Sequence, residues 1–159
     1  MMKTLQDALR DRIEHAPQQY HRLIIVLNPN IQAIDFDIKD LVNQLGSGYI
    51  NLGLELSQML LDLTERQRAL KLPQLVDQII NRFDGNSVLL DHIEILFEPE
   101  LRQDPLRLLQ GLSRNKIIIV MWNGLITKGY LTYAVPEHPE YRRYPIGDLN
   151  IISLLDYSN

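Results

Sequence analysis

The sequence has no cysteine among its 159 residues. That excludes structural disulfides, thiolate metal sites, redox couples and cysteine nucleophiles together. No apolar run approaches the roughly 20 residues that a membrane-spanning helix requires. Met1 to Ala16 is charged and lacks an apolar stretch followed by small residues, so it does not read as a secretory signal. The four histidines, His15, His21, His92 and His138, form no pair at helical i,i+3 or i,i+4 spacing, which argues against a histidine metal centre. There is no G-x-S-x-G nucleophile elbow, and Ser57, Ser87, Ser113 and Ser153 have no marked context for covalent catalysis. Neither half of the chain is basic: residues 1–80 and 81–159 each carry 8 basic and 10 acidic groups, which gives the net charge of -4. An average charge of that sign does not supply a sequence-independent grip on nucleic acid.

What is present is the composition of one globular domain, 45% hydrophobic and 23% charged. Leu5, Leu9 and Ile13 recur every four residues ahead of Pro17, so residues 1–17 predict an N-terminal helix that covers a sheet. Residues 20–135 predict an α/β core and residues 136–159 a C-terminal extension. Leu23–Leu27, Tyr49–Leu52, Val88–Asp91 and Lys116–Met121 are short apolar runs of the kind found in buried parallel strands. The fourth run is expected to end at Trp122-Asn123-Gly124. Between them, helical stripes fall at 38, 41, 42 and 45, at 56, 59, 60 and 63, and at 72, 75, 76, 79, 80 and 83. Pro73 suits a first-turn position, and Asp104-Pro105 reads as an N-cap followed by a first-turn proline. Alternation over Tyr130–Val135 predicts a fifth strand running into Pro136. Residues 137–145 predict an ordered loop, and Asn150–Leu155 a last strand. Strands alternating with helices imply a mainly parallel sheet covered on both faces, with any site at the carboxyl ends of its strands.

A buried first strand, a loop of about eight residues, a helix and a later strand ending in Asp91 share the outline of a P-loop NTPase. In G-x-x-x-x-G-K-[ST], glycines let backbone N–H groups wrap the phosphates, lysine neutralises them and the hydroxyl binds magnesium. Over Asn28-Pro29-Asn30 to Asp35, the pattern places Asn28 and Ala33 at the glycines, Ile34 at the lysine and Asp35 at the hydroxyl. None matches, and Asp35 would set a carboxylate beside phosphates. Lys39, one turn into the next helix, reads as a solvated surface residue. Asp91 stands at the Walker B position, where a carboxylate would hold magnesium, and equally well caps the following turn. Glu94 is displaced from the place of a catalytic glutamate and reads as a surface or capping acid, or as a base.

Four sets of segments lie in order along residues 20–145: Tyr49-Ile50-Asn51-Leu52 with Leu54-Glu55-Leu56-Ser57, Leu89-Leu90-Asp91-His92-Ile93-Glu94-Ile95-Leu96-Phe97, Asp104-Pro105-Leu106 with Leu112-Ser113-Arg114-Asn115, and Leu131-Thr132-Tyr133-Ala134 with His138-Pro139-Glu140-Tyr141. In these segments the sequence resembles BrxF, the small P-loop-containing component of type 3 BREX phage-defence systems. The resemblance implies an α/β fold of the P-loop NTPase (AAA/ASCE-like) type in a bacterial cytoplasmic protein. The implied partners are other BREX proteins: a large ATPase, a DNA methyltransferase and an alkaline-phosphatase-like protein. Self-association stays open, DNA contact is expected only within such a complex, and no membrane is involved. With its phosphate loop degenerate, the chain is expected to need no cofactor and to serve as a non-hydrolytic adaptor or regulator. The rival expectation is an active ATPase that uses ATP and magnesium through an unorthodox loop, completed by a partner chain.

Arg102, Arg107, Arg114 and Lys116 cluster around the helix before the fourth strand, with Asp104 the only acid among them. They read as a solvated helix face, as a reach toward a neighbour's nucleotide, or as a contact to DNA phosphates. Trp122, Tyr130, Tyr133, Tyr141 and Tyr144 concentrate large aromatics in the C-terminal third. Arg107, Arg114, Trp122, Tyr141 and Arg142 are the expected interface residues, because Arg, Trp and Tyr dominate binding energy at protein interfaces.

Overall fold

The computed structural model describes residues 4–29, 37–134 and 137–157. Thr4 caps helix α1 (Leu5–His15) through a capping box with Asp7, and Leu5, Ala8 and Leu9 form its buried stripe. Strand β1 (Leu23–Asn28) is buried throughout. Asp37 caps α2 (Ile38–Gln44), β2 (Gly48–Asn51) follows, and α3 (Leu52–Leu60) starts where the second apolar run was expected to continue as strand. The Asn51 side chain accepts from the Leu54 amide, and this cap turns the chain into helix before Leu52 can extend β2.

A capping box of Thr64 and Gln67 starts α4 (Glu65–Asn81), so Pro73 lies in the helix interior and not in its first turn. An interior proline leaves the carbonyl four residues earlier without its donor. Here that carbonyl belongs to Ala69, and Gln103 Nε2 donates to it at 3.0 Å. The same amide donates to the Leu101 carbonyl at 2.7 Å, which fixes the linker beneath the helix.

Strand β3 (Ser87–Asp91) leads through short 3-10 helices at Ile93–Phe97 and Pro99–Leu101 to α5 (Pro105–Leu112), capped by Asp104. The next strand, β4 (Ile117–Thr127), does not end at Trp122-Asn123-Gly124. It runs on and pairs antiparallel with β5 (Tyr130–Tyr133), which pairs with β6 (Arg142–Pro145). The segment expected to be a loop at 137–145 therefore contributes a strand. Strand β7 (Asn150–Ser153) returns to pair parallel with β1. Val135 and Pro136 lie outside the described residues.

The parallel part has the order β2-β3-β4-β1-β7. Ile24, Val26, Leu89, Ile119 and Met121 pack with α1 and α2 on one face. On the other, Ile25, Leu27, Val88, Leu90 and Val120 pack with α3, α4 and α5. This alternation along each strand is why the strands read as unbroken apolar runs. Among the described residues no helix is long and apolar enough to cross a membrane.

Replacing Gln103 by Ala removes two side chain–backbone bonds and leaves the Ala69 carbonyl without a donor. Urea unfolding is expected to show a loss of about 1–2 kcal/mol. In a Pro73→Ala background the restored helical N–H satisfies Ala69, so the same substitution costs measurably less.

Candidate functional site

The polar residues at the carboxyl edge of the parallel sheet come from four strands. Asn51 ends β2 opposite Asp91, which ends β3, and Asn28 ends β1 opposite Asn123 in β4. The β1 crossover carries α2 on one face while the β3 crossover packs on the other, so the chain leaves this edge in opposite directions. In doubly wound sheets the strand ends at which the connections diverge are where ligands bind.

Two bonded groups fill this edge. In the first, the Tyr49 hydroxyl donates to Asp91 Oδ2 at 2.5 Å, and the His92 amide donates to Asp91 Oδ1 at 2.9 Å. His92 has a left-handed backbone, φ 57° and ψ 57°, which turns the chain directly after Asp91. In the second, Asn123 Nδ2 donates to Glu94 Oε1 at 2.7 Å, and Asn28 Nδ2 donates to Asn123 Oδ1 at 3.3 Å. Glu94 is half-buried and held at the strand ends, not on the open surface. Lys39 is exposed, with Nζ 5.5 Å from the centre of the Tyr49 ring. Among the described residues, no lysine or arginine makes an ion pair with Asp91 or Glu94.

Each Asp91 oxygen accepts one protein hydrogen bond, and the Lys39 ammonium lies over the Tyr49 ring. The degenerate-loop positions Asn30, Ala33, Ile34 and Asp35 lie outside the described residues, whereas Asn28 is buried within β1 and Pro29 follows it. Tyr49 and Asn123 are site residues that sequence reasoning did not single out. Their sequence signal was a polar group closing an apolar run, visible at Met121-Trp122-Asn123 but not interpretable without the neighbouring strands.

The expected interface residues divide. Trp122 is fully buried, and its Nε1 donates to the Thr132 carbonyl at 3.0 Å, so the ring is core and not contact surface. Arg142 is half-buried and donates to the Gln103 carbonyl at 2.7 Å, tying β6 to the linker before α5. Arg107 and Arg114 are exposed on α5 and just beyond it, Arg114 lying 5.0 Å over the Tyr20 ring, and Tyr141 is half-buried. Lys116 leaves the basic cluster: its Nζ donates to the Ile80 and Phe83 carbonyls at the end of α4.

Burial, the hydrogen bond to Asp91 and the charge of that carboxylate hold the Tyr49 hydroxyl well above its ordinary pKa of 10.0. Burial raises Tyr133 as well, with Glu94 and Glu140 adding to it, and raises Tyr144, with Asp104 adding. A raised phenol favours the folded state fully below the unfolded value, about pH 10, and that contribution is lost as pH climbs above it. Near-ultraviolet absorbance titration is expected to show a late-ionising class of tyrosines. Tyr49→Phe should remove one tyrosine's amplitude from that class, and an unchanged late amplitude would contradict the Tyr49–Asp91 bond.

Comparison with family models, curated proteins and solved structures finds no match to this chain.

Proposed function

We propose that this chain is a P-loop-like domain without hydrolytic activity that works by contact, as an adaptor or regulator in a bacterial antiphage complex of the BREX type. The observation that carries the reading is the engagement of Asp91. The carboxylate that would hold magnesium instead accepts from the Tyr49 hydroxyl and the His92 amide. The same conclusion is favoured by the sequence, in which Asn28, Ala33, Ile34 and Asp35 replace the glycines, lysine and hydroxyl of a phosphate loop.

Support for P-loop ancestry comes from strand order. In the additional-strand class of P-loop ATPases, one strand separates the strand before the phosphate loop from the strand bearing the Walker B acid. Here β4 separates β1 from β3. Asn123 on that intervening strand donates to Glu94, so the strand between β1 and β3 carries a polar pair at its carboxyl end. Partners would be the large ATPase, the methyltransferase or the phosphatase-like protein of the same defence system, in the cytoplasm. Arg107 and Arg114 are the members of the expected interface set that are exposed.

Calorimetric titration of the isolated chain with ATP and magnesium is expected to give no binding at physiological concentrations. Magnesium-dependent binding in the micromolar range would overturn the reading. Repeating the titration with the large ATPase present tests the rival arrangement, in which a partner completes the loop. Asp91→Ala is expected to leave phage defence intact where the variant folds. Loss of defence by a folded Asp91→Ala protein would restore a metal-binding role to this carboxylate.

A further inference from the structure

The ribbon formed by the far half of β4 with β5 and β6 has one face bound to the core and one face turned away. Leu131, Tyr133 and Tyr144 lie on the inner face, where Phe97 stacks on Tyr133 at 3.7 Å between ring centres and Trp122 meets Tyr144 edge-on. Cross-strand pairs Leu125↔Thr132, Thr127↔Tyr130 and Thr132↔Arg143 set those side chains on the outer face. There they line a groove of about 300 Å³, which Lys128 and Tyr141 also border.

Leu125 is 52% exposed on this outer face, and the adjacent Ile126 is 44% exposed on the other. A ribbon face turned to water ordinarily carries polar residues, so the exposed aliphatic side chain of Leu125 on the outer face calls for a cover. The groove's charged side chains are Lys128 and Arg143, both positive in a chain whose net charge is -4. The Arg143 guanidinium lies 3.9 Å from the Tyr130 ring centre, which orients its plane. Among the described residues neither cation has a carboxylate within ion-pair distance, so their donors face outward unspent.

We propose that this groove docks an acidic segment of a partner protein, with carboxylates on Arg143 and Lys128 and an apolar side chain against Leu125. The inference rests on the contact-making role proposed above and names the surface and the chemistry of its partner. Two cations on a net-negative chain are too few to hold a polyanion such as single-stranded nucleic acid against salt. An exposed aliphatic floor suits a peptide side chain better than a sugar-phosphate backbone. An oriented arginine beside tyrosine and an apolar contact is the make-up of a protein-binding hot spot.

Selection of a random-peptide display library on the full chain tests this directly. Recovered peptides are expected to be enriched in Asp and Glu interspersed with apolar residues. A fluorescent synthetic version of the consensus should lose tenfold or more in affinity with Arg143→Glu, Lys128→Glu or Leu125→Ser, and keep it with Lys71→Ala on α4. Arg143→Gln and Lys128→Gln should give intermediate losses, and they decide the matter where a charge reversal unfolds the ribbon, as checked by circular dichroism. Recovered peptides without acidic enrichment, or equal affinity for wild type and the Arg143 variants, would overturn the proposal. Preferential binding of oligothymidylate that is lost in Arg143→Glu would overturn it in favour of nucleic acid. A concentration-dependent dimer lost in the same variant would overturn it in favour of a second copy of this chain. ATP titration of the same preparations reports on the non-hydrolytic reading separately. ATP binding with intact peptide docking sinks that reading alone, and absent docking without ATP binding sinks this proposal alone.

Discussion

The hydrogen bond from the Trp122 indole to the Thr132 carbonyl sits at the point where β4 leaves the parallel sheet and becomes the first strand of the ribbon. A fully buried indole N–H without an acceptor costs free energy on the order of 1–3 kcal/mol, so the ring fixes where β5 must pass. Gly124 makes that approach feasible. A Cβ there would collide with the Thr132 carbonyl oxygen and crowd Trp122 Nε1, so no larger residue fits without moving β5. Around this crossing Phe97, Tyr133 and Tyr144 each meet the indole edge-on, and Phe97 and Tyr133 stack on each other. The C-terminal third therefore does not trail from the sheet but is clamped to it.

The same clamp links regions that the backbone separates widely. Arg142 on β6 donates to the Gln103 carbonyl, while the Gln103 amide serves Ala69 in the proline-interrupted helix. Tyr144 donates to Asp104, the cap of α5, at 3.0 Å. Ribbon, linker and α4 thus form one polar chain on the α3–α5 side of the sheet. Trp122 and Arg142, expected from the sequence as contact surface, are committed to this internal work. On the ribbon's outer face, among the described residues, Arg143 and Lys128 make no ion pair, which is the reason that face stands out chemically.

At the carboxyl edge of the parallel sheet, the polar side chains of neighbouring strands serve one another as donors and acceptors. Asp91 is satisfied by Tyr49 and His92, and Glu94 by Asn123, which in turn holds Asn28. Polar groups at buried strand ends must be bonded by something. Side chains from neighbouring strands supply those bonds, and the edge is a polar seam between β1, β3 and β4.

From the sequence alone, the apolar runs at Leu23–Leu27, Val88–Leu90 and Ile117–Met121 determined buried strands, and their spacing with helical stripes determined a layered α/β fold. Asp104 and Pro105 marked the start of α5 because capping is local chemistry. Tertiary structure alone decided the rest. Pro73 fell inside α4 because a donor 30 positions away, Gln103, relieves Ala69. Strand β4 continued past Gly124 because β5 came back to pair with it, and 142–145 became a strand because β5 offered it an edge. Tyr49 and Asn123 became site residues because strands distant in the chain lie side by side in the sheet. Local periodicity carries the choice between helix and strand, whereas pairing, register and side-chain partnership are long-range choices set by which buried groups still need a partner.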